Sequence, residues 1–558
     1  MLIDKHVPIP TSDSGVQLAN IYRPNAPGKY PVVMAHGVYG KDVHFADAFQ
    51  SQWEVLKEIY PEIDSNGSSG KYLRWETVDP ERWVPQGYVV IQVDARGTGA
   101  SPGIIDPLSP DEIQDYYEAI EWAGTQNWSN GKVGLIGVSY YAINQWLVAA
   151  KRPSHLAAII PWEGGCDHYR DWSHHGGILS RSFLEGWWPR QILVNQHGNA
   201  DTTHIDRETG EPTTGIALSK SELEANHSDY IDQLFLHPLN DDFHKERTPI
   251  LENIEVPMLS AGNWGGPGVH LRGNIEAYLR SGSKHRWLSM HTGTHFESFY
   301  LPEFVKMQQD FFDCFLKINK KSTWLKTPPV RLVIRHPEYP RNSKVRYEKE
   351  FPLARTQLLH MHLNAKSLSF DQKKSAQVSE VSYLPLSSGI DFSTLPFSQE
   401  TEVTGFINLK LWISSHSTDM DLFVTLRVFN SADEEVNFTG AHELTPMARG
   451  WLRASHRAID KKLSKIGRVF RQHHSCDKLI PHQIIPVDIE IWPTSMVFPV
   501  GYRLVLTITG KDFEIGTIPG RILHNYPPDR EPIGLHTLNT IYTGGKYDSI
   551  LSLPVIPI

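Results

Sequence analysis

The chain has 558 residues, 40% hydrophobic, 21% charged and 11% aromatic, which is too long for one hydrophobic core and excludes a disordered or low-complexity protein. A formal net charge of −9, without any basic run, excludes a surface that tracks phosphates, so no nucleic-acid partner is expected. Cys166, Cys314 and Cys476 lie far apart and outside any metal-ligand spacing, which excludes a disulfide scaffold and a zinc site.

The start of the chain carries charge where a signal peptide needs an apolar run. No stretch approaches the roughly 20 apolar residues that span a bilayer. A soluble cytoplasmic enzyme with no membrane partner is the expectation, and Asn-x-Ser/Thr sequences at Asn66, Asn127, Asn226 and Asn437 matter only on a secretion route.

In chain order, extended segments at 5–10 and 16–23 flank the turn-forming Ser12-Asp-Ser-Gly15 and predict an antiparallel hairpin. Short apolar runs follow at 31–35, 87–93 and 133–137, the last preceded by a helical pattern over 113–122. Continuous apolar strands alternating with amphipathic helices predict a parallel sheet covered on both faces. Further strands are expected at 156–160, 257–261 and 286–290, and a helix at 303–316. Almost a hundred residues rich in Trp, His and Gly separate the first two of these, too many for a simple crossover, and predict an inserted cap. Beyond Lys326-Thr-Pro-Pro329 the runs at 330–334, 406–413, 422–429, 487–491 and 502–509 predict a separate β-sandwich. The expected domains are a core over 1–162 and 250–325, a helical cap over 163–249, and the sandwich over 326–558.

Gly137-Val-Ser139-Tyr-Tyr141 stands between an apolar strand and a helix predicted over 142–150. A nucleophile elbow needs this context, because a sharp strand-to-helix turn exposes the serine above a helix N-terminus that favours negative charge. Tyr141 replaces the usual second glycine. A serine hydroxyl needs a base to take its proton, and His295, in the loop after the strand at 286–290, has the place and chain order of that base. With 27 histidines in the chain, position rather than residue type selects it. His291 is the nearest rival and is read as structural.

Asp94-Ala-Arg-Gly-Thr-Gly-Ala-Ser-Pro-Gly103, Gly137-Val-Ser-Tyr-Tyr-Ala-Ile-Asn-Gln-Trp146 and Leu452-Arg-Ala-Ser-His-Arg457 together resemble the cocaine esterase and X-prolyl dipeptidyl peptidase family of serine hydrolases, over nearly the whole chain. The resemblance implies an α/β-hydrolase core, an inserted helical cap and a C-terminal jelly-roll sandwich of the galactose-binding-like kind. It also implies an oxyanion hole built from the hydroxyl of Tyr39 and the backbone N–H of Tyr140, and a structural Asp94–Gly103 loop in which Arg96 is a salt-bridge anchor.

By the same resemblance an aspartate should follow the strand at 257–261, yet no carboxylate occurs between Glu255 and Glu276. Asn263 can hydrogen-bond an imidazole but stabilises its positive charge poorly. The strand at 156–160 leads into Trp162-Glu163, which places a carboxylate at the sheet edge beside the nucleophile's strand. Glu163 is therefore assigned as the acid, with Asp167, Asp171 and Glu297 as alternatives and an ion pair with Arg170 as its structural reading.

Trp162, Trp172, Trp187, Trp188 and Trp264 surround the presumed site. Trp162, Trp172, Trp187 and Trp264 are assigned to an apolar pocket, although each also suits the cap's own core. The His174-His175 pair lacks supporting ligand spacing, so no metal and no cofactor are expected. The partner is a small organic ester or amide, and a homodimer is compatible with the sequence. Hydrolysis through an acyl-enzyme on Ser139 is the leading reading. Acyl transfer to a metabolite alcohol or amine, X-prolyl dipeptide release, and a degenerate hydrolase kept for binding are the alternatives.

Overall fold

The computed structural model describes residues 1–266, 268–317, 322–339, 343–440, 443–515, 523–524 and 534–557. One sheet organises the first part. Its strands are β1 (Leu2–Pro10), β2 (Val16–Arg23), β3 (Tyr30–Gly37), β4 (Val89–Asp94), β5 (Ser129–Val138), β6 (Leu156–Trp162), β7 (Met258–Asn263), β8 (Arg286–His291), β9 (Val330–Ile334) and β10 (Lys344–Glu348), in spatial order β1-β2-β4-β3-β5-β6-β7-β8-β9-β10. From β4 across to β9 neighbouring strands are parallel, while β1, β2 and β10 pair antiparallel.

Burial explains the parallel core. Val89–Asp94 is buried at every residue, as are the last six residues of β5, so these strands need cover on both faces and read as unbroken apolar runs. The helices Pro110–Thr125, Tyr140–Ala150, Leu271–Arg280 and Pro302–Phe315 supply that cover. Pro110–Thr125 starts where Ser109 Oγ accepts the Glu112 N–H and Pro110 takes the first turn, positions where these residues satisfy or lack the orphan donors. Among the described residues, no helix is long and apolar enough to cross a membrane.

Val330–Ile334, expected in the C-terminal β domain, instead pairs parallel with β8 and extends the first sheet. Periodicity alone cannot assign a strand to one of two sheets. The second β domain begins at Gln357–Asn364, and its sandwich closes on itself. Thr401–Ser415 pairs with Ile485–Phe498 on one side and with Ile550–Ile556 on the other, making an all-β barrel. Leu409, Leu411 and Ile413 point inward at alternate positions of that strand.

The cap follows β6 and contains short helices at Arg181–Trp187, Lys220–Ala225, Tyr230–Leu236 and Asp242–Glu246, with a small hairpin of His174–His175 and Ile178–Leu179. That hairpin lies on the barrel. The Arg453 N–H donates to Gly176 O at 2.9 Å, and a Cβ at Gly176 would stand 2.1 Å from Trp451 O. His175 Nδ1 meets His524 Nε2 at 2.7 Å, so the His174-His175 pair belongs to the junction between cap and barrel.

Candidate active site

Parallel strands in register deliver their C-terminal ends to one edge, and the loops leaving that edge build the site. Gly37 aligns with Asp94, Val138 with Trp162, and Asn263 with His291. Tyr39 therefore follows β3, Ser139 follows β5, Glu163 follows β6 and His295 follows β8. A cavity of about 550 Å³ opens above them, with Tyr39, Ser139, Glu163 and His295 all in its wall.

Ser139 has φ 56° and ψ −115°, a conformation that L residues avoid and that functional sites retain when their surroundings enforce it. Here the Ser139 N–H donates to Trp162 O at 3.0 Å, and Ser139 O accepts the first helical bonds from Ala142 and Ile143. Tyr141 fits in place of the second elbow glycine because glycines face it. A Cβ at Gly37 would come 2.6 Å from the Tyr141 ring, and one at Gly137 2.4 Å from Tyr141 Cβ. Glu163 (φ 49°) and Glu76 (φ 61°) share the positive φ of Ser139.

Glu163 receives two imidazoles. Its Oε2 is 2.7 Å from His295 Nδ1 and its Oε1 is 2.7 Å from His291 Nε2, with Asn263 Nδ2 donating to Oε1 at 3.3 Å. The alternative acids are engaged elsewhere. Asp167 pairs with Arg170 and Asp171 with Arg272, while Glu297 accepts the Thr294 N–H.

The expected hydrogen bond between Ser139 and His295 is not made. Glu76, from the segment between β3 and β4, takes His295 Nε2 at 2.9 Å, so both ring nitrogens of His295 face carboxylates. Ser139 Oγ lies 2.9 Å from Nε2 of His270, and the His270 and His295 rings stack with centroids 4.8 Å apart.

Charge follows these contacts. Burial opposes ionisation of Glu163, but the charge of His295 and hydrogen bonds from His291 and His295 outweigh it and hold the carboxyl at about 2. Burial also works against a charged His295, and Glu163 and Glu76 override it, raising the imidazole to about 10. Burial lifts Glu76 to about 7 against the opposing pull of His295. Among the described residues His270 hydrogen-bonds no carboxylate, and burial with the neighbouring His295 charge outweighs the opposing pull of Glu163 and lowers it to about 3.

Tyr39 is placed to donate. Its hydroxyl oxygen accepts the Trp187 indole N–H at 3.0 Å, which leaves its own proton for another acceptor. Burial, then the Glu76 charge, raises its pKa so that the phenol stays protonated. Tyr140 is the first residue of its helix, so its N–H has no intrahelical acceptor. Its side chain points away, donating to Glu112 at 2.6 Å.

A family model described as X-Pro dipeptidyl-peptidase (S15 family) matches residues 14–297, and one described as X-Pro dipeptidyl-peptidase C-terminal non-catalytic domain matches 322–552. The chain belongs to the S15 X-Pro dipeptidyl-peptidase family and is a serine hydrolase. It is similar to a CocE/NonD family hydrolase from Staphylococcus aureus, with 33% identity and a TM-score of 0.85 over 99% of this chain and 94% of that one. Cocaine esterase of Rhodococcus sp. is 23% identical across 99% of this chain and 98% of its own length. An α-amino acid ester hydrolase shares the fold at 16% identity, with a TM-score of 0.67 over 99% of this chain and 96% of that one.

Within this S15 hydrolase the tryptophans divide. Trp172 and Trp187 line the cavity. Trp162 and Trp264, expected there, are core residues instead. Trp162 is fully buried, stacks on His291 and donates to Ser298 Oγ, and Trp264 donates to Val333 O behind the sheet edge. An inward strand end and a contact with β9 hold these two indoles away from the opening. Trp188 stacks on Tyr230. Arg96 pairs with Asp115 through two contacts of 2.6 Å.

Sequence reasoning missed Glu76, His270 and the barrel's share of the cavity wall, Leu444, Thr445 and Leu523. The signal for His270 was its position within the stretch where an acid is absent, and for Glu76 there was none. Among the described residues, Glu163, His270 and His295 offer donor atoms within 4.8 Å of one another. Both Glu163 oxygens already bond histidines and His270 Nε2 faces Ser139.

Proposed function

We propose that this serine hydrolase cleaves an ester or amide bond of a small organic substrate through an acyl-enzyme on Ser139. The observation that carries this reading is the strained turn that exposes Ser139 to a cavity in whose wall His295 is bonded to Glu163. Ser139 attacks the carbonyl, His295 takes and returns the proton, and Glu163 stabilises the imidazolium. The Tyr39 hydroxyl and the Tyr140 N–H hold the oxyanion, each contributing on the order of 3 kcal/mol.

His270 touches the serine but is the poorer base. A base needs a partner for the charge it gains; among the described residues His270 hydrogen-bonds no carboxylate, and it stacks on another imidazole. The contact is therefore a resting one, and turnover requires His295 Nε2 to exchange Glu76 for Ser139.

The wall favours an apolar acyl group, since Phe49, Trp75, Trp172, Phe183 and Trp187 form much of it. Release of a dipeptide has less support, although several relatives are named Xaa-Pro dipeptidyl-peptidases. A free substrate amine needs a carboxylate, and the carboxylates in the wall, Glu76 and Glu163, both bond His295.

A fluorophosphonate probe tests the reading. Wild type should be labelled with one phosphonyl group, and Ser139→Ala should not be. A folded wild type that stays unlabelled at every pH overturns it.

A further inference from the structure

We propose that Glu76 is a positioning residue of this reaction, a second carboxylate that clamps the Nε2 side of His295 in the free enzyme and sets the pH at which that imidazole becomes free to take the Ser139 proton. This rests on the reading of His295 as the base.

The geometry is specific. A triad imidazole needs one carboxylate on Nδ1, with Nε2 left for the serine. Here Nδ1 has Glu163 at 2.7 Å and Nε2 has Glu76 at 2.9 Å, so the nitrogen that should face the nucleophile is occupied. Glu76 is 2% exposed, and a buried carboxylate costs free energy unless a charge or donor meets it. His295 is that charge.

Glu76 is also fixed where it stands. Its carbonyl accepts the Val138 N–H at 3.1 Å, immediately before Ser139, and Tyr300 Oη donates to Arg74 O at 3.0 Å. These bonds hold Glu76 at φ 61°, a backbone state that persists only when the surroundings enforce it. The same strand end thus positions the nucleophile and the carboxylate that restrains its base.

The surrounding groups act in known directions. Glu163 at the end of β6 and His295 after β8 face Glu76, and His270 after β7 stacks on His295. The Tyr39, Tyr141 and Tyr300 phenols around Glu76 are kept un-ionised chiefly by burial. On its own segment, burial lifts Asp79 to about 6. His291 bonds the far oxygen of Glu163. The described charge that favours an ionised Glu76 is therefore that of His295, and removing the Glu76 charge removes half of the pair that keeps His295 protonated.

The serine is reactive when His295 is neutral, so losing one carboxylate should extend reactivity toward acid. Rates of fluorophosphonate labelling are compared across pH for wild type and Glu76→Gln, with His295 Cε1–H titrated by NMR in both. In Glu76→Gln the acid limb and the His295 titration should each move down by about one to three pH units, and labelling on the acid side should rise about tenfold for each unit. A variant that keeps the wild-type limb and titration overturns the proposal. If Glu76→Gln does not fold, Glu76→Asp decides: the shorter carboxylate, drawn back from Nε2, should move the acid limb and the His295 titration down in the same direction, and a folded Glu76→Asp that keeps both wild-type values overturns the proposal. Absence of labelling in wild type sinks the proposed function, while the NMR titration still judges the clamp.

Discussion

His295 in the site and the histidines buried in the cap and at its junction with the barrel carry opposite charge preferences. His295 sits between Glu163 and Glu76 and is raised to about 10. In the cap His168 meets His244 at 2.8 Å and His174 bonds Ser173, and at the junction His456 meets His473 at 3.1 Å. None of these contacts involves a carboxylate. Burial lowers His244 and His456 to about 4 and pushes His168, His174 and His473 well down. Burial alone neutralises an imidazole, and a paired carboxylate reverses the sign.

Breaking the carboxylate pair should have the largest effect. Glu163→Gln removes the carboxylate on Nδ1 and leaves only Glu76, on the nitrogen that has to face Ser139, so kcat should fall on the order of 10⁴-fold, measured on an activated ester. Substituting a junction histidine such as His456 should change stability instead. Equal kcat losses for the two would erase the distinction drawn here.

Next in size is Tyr39→Phe, which removes the oxyanion donor and should cost on the order of 10²-fold in kcat, with KM little changed. An effect confined to KM would place Tyr39 in substrate binding.

Acid should loosen the junction before the site. The folded junction histidines are lowered, so their neutral state is fully compatible with the fold above pH 6.5 and stability drains as pH falls from 6.5 toward 4 for His244 and His456. Each contributes about 1 kcal/mol per pH unit in that window. His295 behaves oppositely: being raised, its stabilisation is complete below 6.5 and is lost as pH rises through about 10. Because raised buried carboxylates such as Glu76 work in the opposite direction over the same window, the test compares variants. The difference in urea midpoint between wild type and His456→Gln should change between pH 7 and pH 5 in favour of the variant in acid, and a difference independent of pH would contradict the burial of a neutral imidazole.

The smallest expected effect separates wall from core. Trp187→Phe removes the N–H that Tyr39 accepts and should slow turnover several-fold, about 1 kcal/mol. Trp264→Phe should lower the melting temperature and leave turnover alone.

Much of the sheet was legible because apolar runs, turns and helix starts are local. The strand-turn-helix around Ser139 and the sheet-edge position of Glu163 follow from the same local signals. Val330–Ile334 was assigned to the wrong sheet because pairing partners are a long-range property. Trp162 and Trp264 look like pocket residues by proximity in sequence, yet side-chain direction at a strand end decides which way an indole faces. Glu76 depends on a positive-φ turn held by Val138, and His270 on the packing of a glycine-rich loop. Neither has a local pattern, and 27 histidines dilute any argument from residue type.

The most direct measurement compares fluorophosphonate labelling of Ser139 in His295→Ala and His270→Ala, with intact folding shown by thermal melts. The account predicts that His295→Ala loses labelling while His270→Ala retains it. Labelling that survives in His295→Ala and vanishes in His270→Ala would contradict it, making His270 the base.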